Sequence, residues 1–326
     1  MSKVKGTDSL MKYLRDHHNV NIAGSLHKRK LRNIGYYHGF KGYRFIATPN
    51  HTISYTDFNQ VLAINTFDME LKSLLYPQVM FIETAVKNYV LETILNHSKT
   101  DSFDTIYETL LTEYKNYTIG SGNYKKALLK RLRLRNQFYN DLSREYSSGK
   151  QVVIHFYHKD EPVPIWAIFE VISLGEFGNL ISCANTNIKK DISKSLSLNQ
   201  AYDADGKLIE SIIYLIKDLR NSVAHNGVIF DTRFKKSNPT TRFLTSLQVD
   251  TNIQEITFQT IVDYLILVIY LQKNLKTSKI DLTKIVNRFE VLINQFRNQI
   301  PPNIYSRIFH TNTRNKLIAL KLFIKL

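Results

Sequence analysis

Cysteine, glycine and proline are all scarce in this 326-residue chain, which holds 1, 12 and 7 of them, respectively. The single cysteine, Cys183, cannot form an internal disulfide, and the sequence has no cysteine cluster for zinc. So few breakers favour long helices over a β fold with many turns. We therefore expect an all-α protein in a reducing compartment.

A long hydrophobic run is also missing. Residues 1–18 are polar and charged and contain no apolar core of a signal peptide. The most hydrophobic stretch, residues 261–271, carries Asp263 and is shorter than the roughly 20 apolar residues that a membrane span needs. A buried helix explains this stretch better, so we expect a cytoplasmic protein without a membrane segment.

Acidic residues are few relative to basic ones. Lys and Arg total 44 and Asp and Glu total 28, which gives a formal net charge of +16. This surplus favours a polyanionic partner, either nucleic acid or an anionic membrane surface. A coding bias toward Lys, Asn and Ile, with no partner at all, explains the same composition. Hydrophobic residues make up 43% of the chain, which is enough for a packed core.

Apolar residues recur at helical spacing along most of the chain. Pro77 interrupts one such pattern and predicts that one helix ends near Tyr76 and that a second begins there. The clearest pattern predicts a helix over residues 207–225, stopped by Asn226-Gly227. Further helices are expected over residues 124–139, 165–183, 256–274 and 282–298, with a polar loop over residues 231–250.

Composition divides the chain into three regions. Residues 1–55 are basic and aromatic, and the glycines between Gly35 and Gly42 predict turns that pack rings closely on the core. Residues 56–300 are expected to form the main helical domain. Residues 301–326 follow Pro301-Pro302 and are expected to form a basic C-terminal tail.

The segment from Arg220 to His225 is the clearest chemical signal. On a helix, Asn221 and His225 are four residues apart and share one face, and the long Arg220 side chain can reach across at a helix end. An imidazole can move a proton near neutral pH, and a guanidinium can stabilise charge building on phosphorus, so the set suits phosphodiester cleavage. The alternative is an ordinary helix end, where the helix dipole favours basic residues in the last turn.

Two basic segments are candidates for RNA binding through phosphates. A solvated helix face is the alternative for the second segment, which contains no acid between Tyr124 and Tyr139. Trp166, the only tryptophan, is expected in the core, and Glu170 on the same predicted helix needs a partner such as Arg220. The candidate RNA-binding residues are Lys28, Arg29, Lys30, Arg32, Lys41, Arg44, Lys125, Lys126, Lys130, Arg131, Arg133 and Arg135.

Four motifs follow one another between roughly residues 25 and 235. They are Ile34-Gly35-Tyr36-Tyr37 through Gly42-Tyr43, Phe81-Ile82-Glu83-Thr84-Ala85-Val86-Lys87-Asn88, Pro164-Ile165-Trp166 with Glu170 and Ser173-Leu174-Gly175, and Leu219-Arg220-Asn221-Ser222-Val223-Ala224-His225. In this order they resemble the Abi-like proteins of bacterial abortive phage infection, which include AbiF and AbiD. The last motif resembles the R-N-x3-H signature of HEPN ribonucleases. Lys87 stands where Arg is expected, and Leu174 where Phe is commoner.

The resemblance implies a HEPN-type helical bundle with additional N- and C-terminal helices. It also implies RNA cleavage that needs no metal or other cofactor and leaves a 2′,3′-cyclic phosphate and a 5′-hydroxyl. His225 would then be the acid/base, Arg220 the phosphate stabiliser, Asn221 the orienting group and Glu83 a supporting residue from a neighbouring helix. HEPN sites usually pair two motifs, and this chain has one, so a homodimer is implied.

Three functions fit the sequence. The first is a phage-defence endoribonuclease that cleaves single-stranded RNA, whose splayed bases can stack on aromatic side chains. The second is a non-catalytic RNA-binding protein that forms a complex with a small noncoding RNA. The third is a structural interaction module in which the residues from Arg220 to His225 only cap a helix.

Overall fold

A computed structural model describes residues 6–326, and these residues form fifteen α-helices and no β-strand. The predicted all-α fold is therefore confirmed, while the first five residues of the predicted region 1–55 lie outside the described part. The helices are α1 (Thr7–His18), α2 (Gly24–Ile34), α3 (Phe58–Ser98), α4 (Phe103–Thr109), α5 (Gly122–Ser147), α6 (Gln151–Tyr157), α7 (Ile165–Val171), α8 (Leu174–Cys183), α9 (Thr186–Ser195), α10 (Leu208–Ala224), α11 (Thr241–Thr251), α12 (Ile261–Asn274), α13 (Lys279–Gln299), α14 (Pro302–Ile308) and α15 (Thr313–Lys325).

Helix α3 is the longest element, with 41 residues, and it packs against α7, α9, α10, α12 and α13. The predicted break at Pro77 is wrong, because α3 continues through it. Pro77 is exposed, whereas Leu75 and Val79 on either side are buried. The carbonyl that the proline ring leaves without a donor therefore lies on the solvent side, and core packing holds the neighbouring turns together.

Helix α12 is buried on every side, since each residue from Ile261 to Gln272 is buried. This agrees with the prediction of a core helix for the most hydrophobic stretch. Nowhere in residues 6–326 is a helix both long and apolar enough to cross a membrane.

Other predicted boundaries are also wrong. The helix predicted over residues 124–139 continues to Ser147, and the helix predicted over residues 256–274 starts at Ile261. The single helix predicted over residues 165–183 is two helices, because Ile172 is extended and Ser173 starts α8. The Ser173 hydroxyl accepts from the Glu176 amide, and the Glu176 carboxylate accepts from the Ser173 amide, which makes a capping box. The loop predicted over residues 231–250 contains α11, which buries Phe243 and Leu247.

The N-terminal region packs on the helical core. Instead of the predicted turns, α2 leads into a π-helical turn, Gly35–Lys41, that buries Phe40. Gly39 is required there, because a Cβ at this position would come within 2.4 Å of the Ile34 side chain. Tyr43 follows the turn and is fully buried.

The C-terminal tail also packs on the core. Helix α15 buries Leu317, Leu320 and Phe323. Its Lys316 Nζ donates to the Asp263 Oδ1 at 2.7 Å, and both side chains are buried. Because Asp263 lies in the first turn of α12, this ion pair joins the tail to the most buried helix.

Lys316→Met should destabilise the protein by about 3–5 kcal/mol, because it leaves the buried Asp263 carboxylate without its counter-ion. The free energy of unfolding in urea measures this loss. Lys284→Met is the matched control, since it breaks an exposed pair with Asp281 and should leave that free energy nearly unchanged. Equal losses in the two variants would contradict the buried pair.

Candidate functional site

The segment from Arg220 to His225 lies at the C-terminal end of α10. Ile216, Leu219 and Val223 are buried, so the packing of this face turns the polar residues outward. The predicted helix over residues 207–225 is confirmed to within one residue at each end. His225 is the C-cap, and Asn226 adopts a left-handed backbone with φ of 54°, which ends the helix.

A buried carboxylate holds the arginine. The Arg220 Nε donates to the Glu83 Oε2 at 2.8 Å, and the Glu83 side chain is only 9% exposed. The Lys87 Nζ lies 3.3 Å from the other carboxylate oxygen. Two cations from two helices therefore compensate the negative charge that α3 places in the interior.

Lys87 also connects this ion-pair cluster to α7. Its Nζ donates to the carbonyl oxygens of Phe169 at 3.1 Å and of Ile172 at 3.0 Å, at the C-terminal end of α7. An ammonium group is favourable at that end, because several carbonyls there have no helical partner. Lys87 thus fills a structural role at the position where the resemblance favours Arg.

Asn221 and His225 are both exposed. The Asn221 Oδ1 accepts from the Arg220 Nη1 at 3.3 Å, so the amide contacts the guanidinium rather than the imidazole. No side-chain hydrogen bond or ion pair with another residue of the described chain involves His225. The predicted orienting role of Asn221 is therefore not met within one chain, and the imidazole is accessible from outside.

A second polar network lies beside the motif, and sequence reasoning missed it. The Lys72 Nζ donates to the Asn226 Oδ1 at 2.8 Å, and this orients the Asn226 amide so that Nδ2 donates to the His38 Nε2 at 3.2 Å. The Lys72 ammonium lies 2.7 Å from the Asp68 carboxylate, which also accepts from the Tyr43 hydroxyl. The N-terminal aromatic motif therefore meets the residue that follows His225.

A cavity of about 410 Å³ adjoins the ion-pair cluster, and Glu83, Lys87, Arg220 and Trp166 line it. The prediction that Trp166 belongs to the core is wrong, because the side chain is 41% exposed and packs one edge on Phe156. Helix α7 buries the side that carries Ile165, Ala167, Ile168 and Phe169, and Trp166 lies on the opposite side with the exposed Glu170.

The suggested pairing of Glu170 with Arg220 is also wrong. Glu170 is exposed, where water solvates its carboxylate, and it lines the same cavity. Arg220 pairs instead with the buried Glu83, whose carboxylate has the greater need of a counter-ion.

The first basic segment is largely at the surface. Arg29, Lys30 and Arg32 are exposed on α2, and Lys28 pairs with Asp8 at 2.6 Å. Further along this segment, the Lys41 Nζ lies 5.0 Å from the centre of the exposed Tyr37 ring, and Arg44 is half-buried.

The second basic segment lies on α5. Lys125, Lys126, Arg133 and Arg135 are exposed, whereas Lys130 and Arg131 are half-buried. Arg131 has a structural role, because its Nη2 donates to the Tyr107 carbonyl at 2.7 Å and its guanidinium lies 3.7 Å from the Tyr107 ring centre.

Cys183 is buried, and burial raises the pKa of its thiol to about 11. The thiol therefore stays protonated at neutral pH and is a poor nucleophile.

The sequence model of the Abi-like protein family matches residues 29–231. This range contains Glu83, Trp166 and the whole segment from Arg220 to His225. No curated protein and no solved structure gives a significant match to the chain.

Glu83→Gln should lower the free energy of unfolding by roughly 3 kcal/mol, because it leaves Arg220 and Lys87 close together without a carboxylate. Chemical unfolding followed by circular dichroism measures the change. Glu92→Gln is the control, since Glu92 is an exposed residue of the same helix. A Glu83 variant as stable as this control would show that the cluster does not hold α3 to α10.

Proposed function

Because the chain belongs to the Abi-like protein family, we propose that it is an abortive-infection phage-defence protein that acts as a metal-independent HEPN endoribonuclease. The observation that carries the proposal is the helix end that combines an accessible His225 imidazole with an Arg220 guanidinium held by Glu83. The all-α fold, in which α10 packs on the long helix α3, is consistent with a HEPN-type bundle.

Cleavage needs one proton removed and one returned. His225 takes the proton of the ribose 2′-hydroxyl, whose oxygen attacks phosphorus. The bond from phosphorus to the 5′-oxygen then breaks, and an imidazolium returns a proton to that oxygen. The products are a 2′,3′-cyclic phosphate and a 5′-hydroxyl.

Arg220 stabilises the charge that builds on the phosphoryl oxygens. Its Nε–H donates to Glu83, and Nη2 makes no hydrogen bond to another described residue. The guanidinium is thus fixed at one edge and can bind phosphate with another. Holding this side chain in place before substrate arrives removes part of the entropic cost of the transition state.

The active form in this proposal is a homodimer in which two motifs face each other. Asn221 and His225 are exposed, and the imidazole has no side-chain partner that would orient it within residues 6–326. A second copy of the motif would supply both an orienting contact and a second imidazole. One histidine could then act as the base and the other as the acid.

In excess EDTA, the purified protein should cleave end-labelled single-stranded RNA. His225→Ala and Arg220→Ala should each reduce the cleavage rate by about 10²–10⁴-fold, the range for loss of an acid–base or charge-stabilising group. His225→Ala should do so at unchanged RNA affinity. His310→Ala is the control, because His310 is exposed and lies far from the motif in the chain.

Tight binding without cleavage would favour the alternative function, a non-catalytic protein in complex with a small noncoding RNA. Repeating the assay with extract of infected cells would distinguish that function from an enzyme that waits for its trigger. Cleavage that survives both substitutions would disprove the assignment of the site.

Activity per molecule should fall on dilution, because a site built from two copies follows the dimer population by mass action. The measurement is the initial cleavage rate over a range of protein concentrations, compared with the mass from sedimentation at the same concentrations. A rate per molecule that stays constant while the dimer dissociates would contradict a shared site.

A further inference from the structure

A second and larger cavity, of about 980 Å³, lies between α5, α8, α10 and the short 3₁₀ turn Glu113–Asn116. Its lining contains more cations than anions. The acidic side chains are Glu113, Glu176 and Glu210, and the basic ones are Lys126, Lys130, Arg131, Arg133, Lys189, Lys207 and Lys217.

The acidic groups of this cavity already have partners. Lys189 is 1% exposed, and its Nζ lies 3.2 Å from Glu113 and 2.9 Å from Glu210. Burial alone would lower the pKa of this ammonium, but the two carboxylates outweigh it and the pKa is raised, so Lys189 stays charged. Glu176 accepts from the Ser173 amide at 2.7 Å in the capping box of α8.

Several basic groups of the cavity have no carboxylate partner. Within the part of the chain that the structure describes, no ion pair involves Lys126, Lys130 or Arg133. Their positive charge is therefore available to an anion that enters the cavity, and a phosphate fits such a site.

Aromatic rings lie next to these cations. Tyr114, Tyr117 and Tyr214 line the cavity and are half-buried. The Tyr214 hydroxyl donates to the Asn179 Oδ1 at 3.0 Å, which holds the ring, and the Lys217 Nζ lies 5.3 Å from the ring centre. Rings beside cations suit a nucleotide, because the base can stack while the phosphate meets the charge.

Helix α10 connects this cavity to the motif. Glu210, Tyr214 and Lys217 line the cavity, and Asn221 and His225 follow at spacings of four residues. Because residues three and four apart share one face of a helix, all five lie in a single stripe. At 1.5 Å per residue, Lys217 and His225 are about 12 Å apart along the axis, a distance that a short single strand can span.

We propose that this cavity binds a nucleotide of the substrate RNA strand, a short distance from the phosphate cut at Arg220 and His225. The proposal rests on the proposed function. It assigns the RNA contact of α5 to the face that carries Lys126 and Arg133. Lys125 and Arg135, on the same helix, do not line the cavity.

The test compares two double variants of equal charge change in a His225→Ala background, which prevents cleavage. Lys126→Gln with Arg133→Gln alters the cavity, and Lys125→Gln with Arg135→Gln alters exposed residues outside it. The measurement is binding of a fluorescent 12-nucleotide single-stranded RNA by anisotropy at several salt concentrations. Circular dichroism verifies that both variants fold.

The cavity variant should bind the RNA at least about 10-fold more weakly. Its salt dependence should also decrease by about 1.4 in log–log slope, the value for two lost phosphate contacts of a single strand. The control variant should change affinity less than about twofold. Equal weakening of the two variants would overturn the proposal, because the whole basic surface would then attract RNA without a defined cavity.

Titration with AMP and ATP distinguishes a strand from a free nucleotide. Weak binding of both, with tight binding of the 12-nucleotide RNA, supports the strand. Binding of a free nucleotide as tight as that of the RNA would overturn it, because the cavity would then be a site for a small nucleotide.

The two proposals can fail separately. Cleavage by the protein with native His225, together with unaltered RNA binding by the cavity variant, would overturn the cavity assignment alone. Loss of binding in the cavity variant, without cleavage by the native chain even in extract of infected cells, would overturn the nuclease and leave the cavity as an RNA-binding site.

Discussion

The buried carboxylate of Glu83 is the constraint around which the candidate site is arranged. A carboxylate taken out of water is costly unless cations and hydrogen bonds replace its hydration. Lys87 supplies one cation from the same helix, and Arg220 supplies the other from α10. Because Lys87 also donates to the carbonyls of Phe169 and Ile172 at the C-terminal end of α7, the Glu83 cluster connects three helices. The guanidinium position is therefore a consequence of how the interior is neutralised.

Helix α10 has two functional faces, one apolar and one polar. Its Ile and Leu residues fill the core, and its polar stripe runs from Glu210 to His225. Since the apolar face fixes the rotation of the helix, it also fixes where the stripe points. The basic cavity and the motif consequently share one rigid support, so the distance between them does not depend on a flexible loop.

Helix positions could be predicted where the signal lies within the segment itself. The apolar period and the Asn226-Gly227 stop place α10 to within one residue, whereas Pro77 misleads because the effect of a proline depends on which side of the helix meets solvent. The break at Ser173 was readable, since Ser followed three residues later by Glu is a capping-box pattern. The exposure of Trp166 and the contact between His38 and Asn226 were not readable, because both depend on residues distant in the sequence.

The motif is completed by parts of the chain that are made at very different times. The partners of Arg220 and Asn226 lie 137 and 188 residues earlier in the sequence, at Glu83 and His38. Long-range contacts of this kind form only after the intervening chain has been synthesised and its loop closed. During translation the early half therefore has only Lys87 as a cation for Glu83, and Arg220 becomes available once α10 has been synthesised. A nascent chain on the ribosome therefore cannot form this site before α10 has been synthesised. Any activity of the site can begin only after most of the chain has emerged.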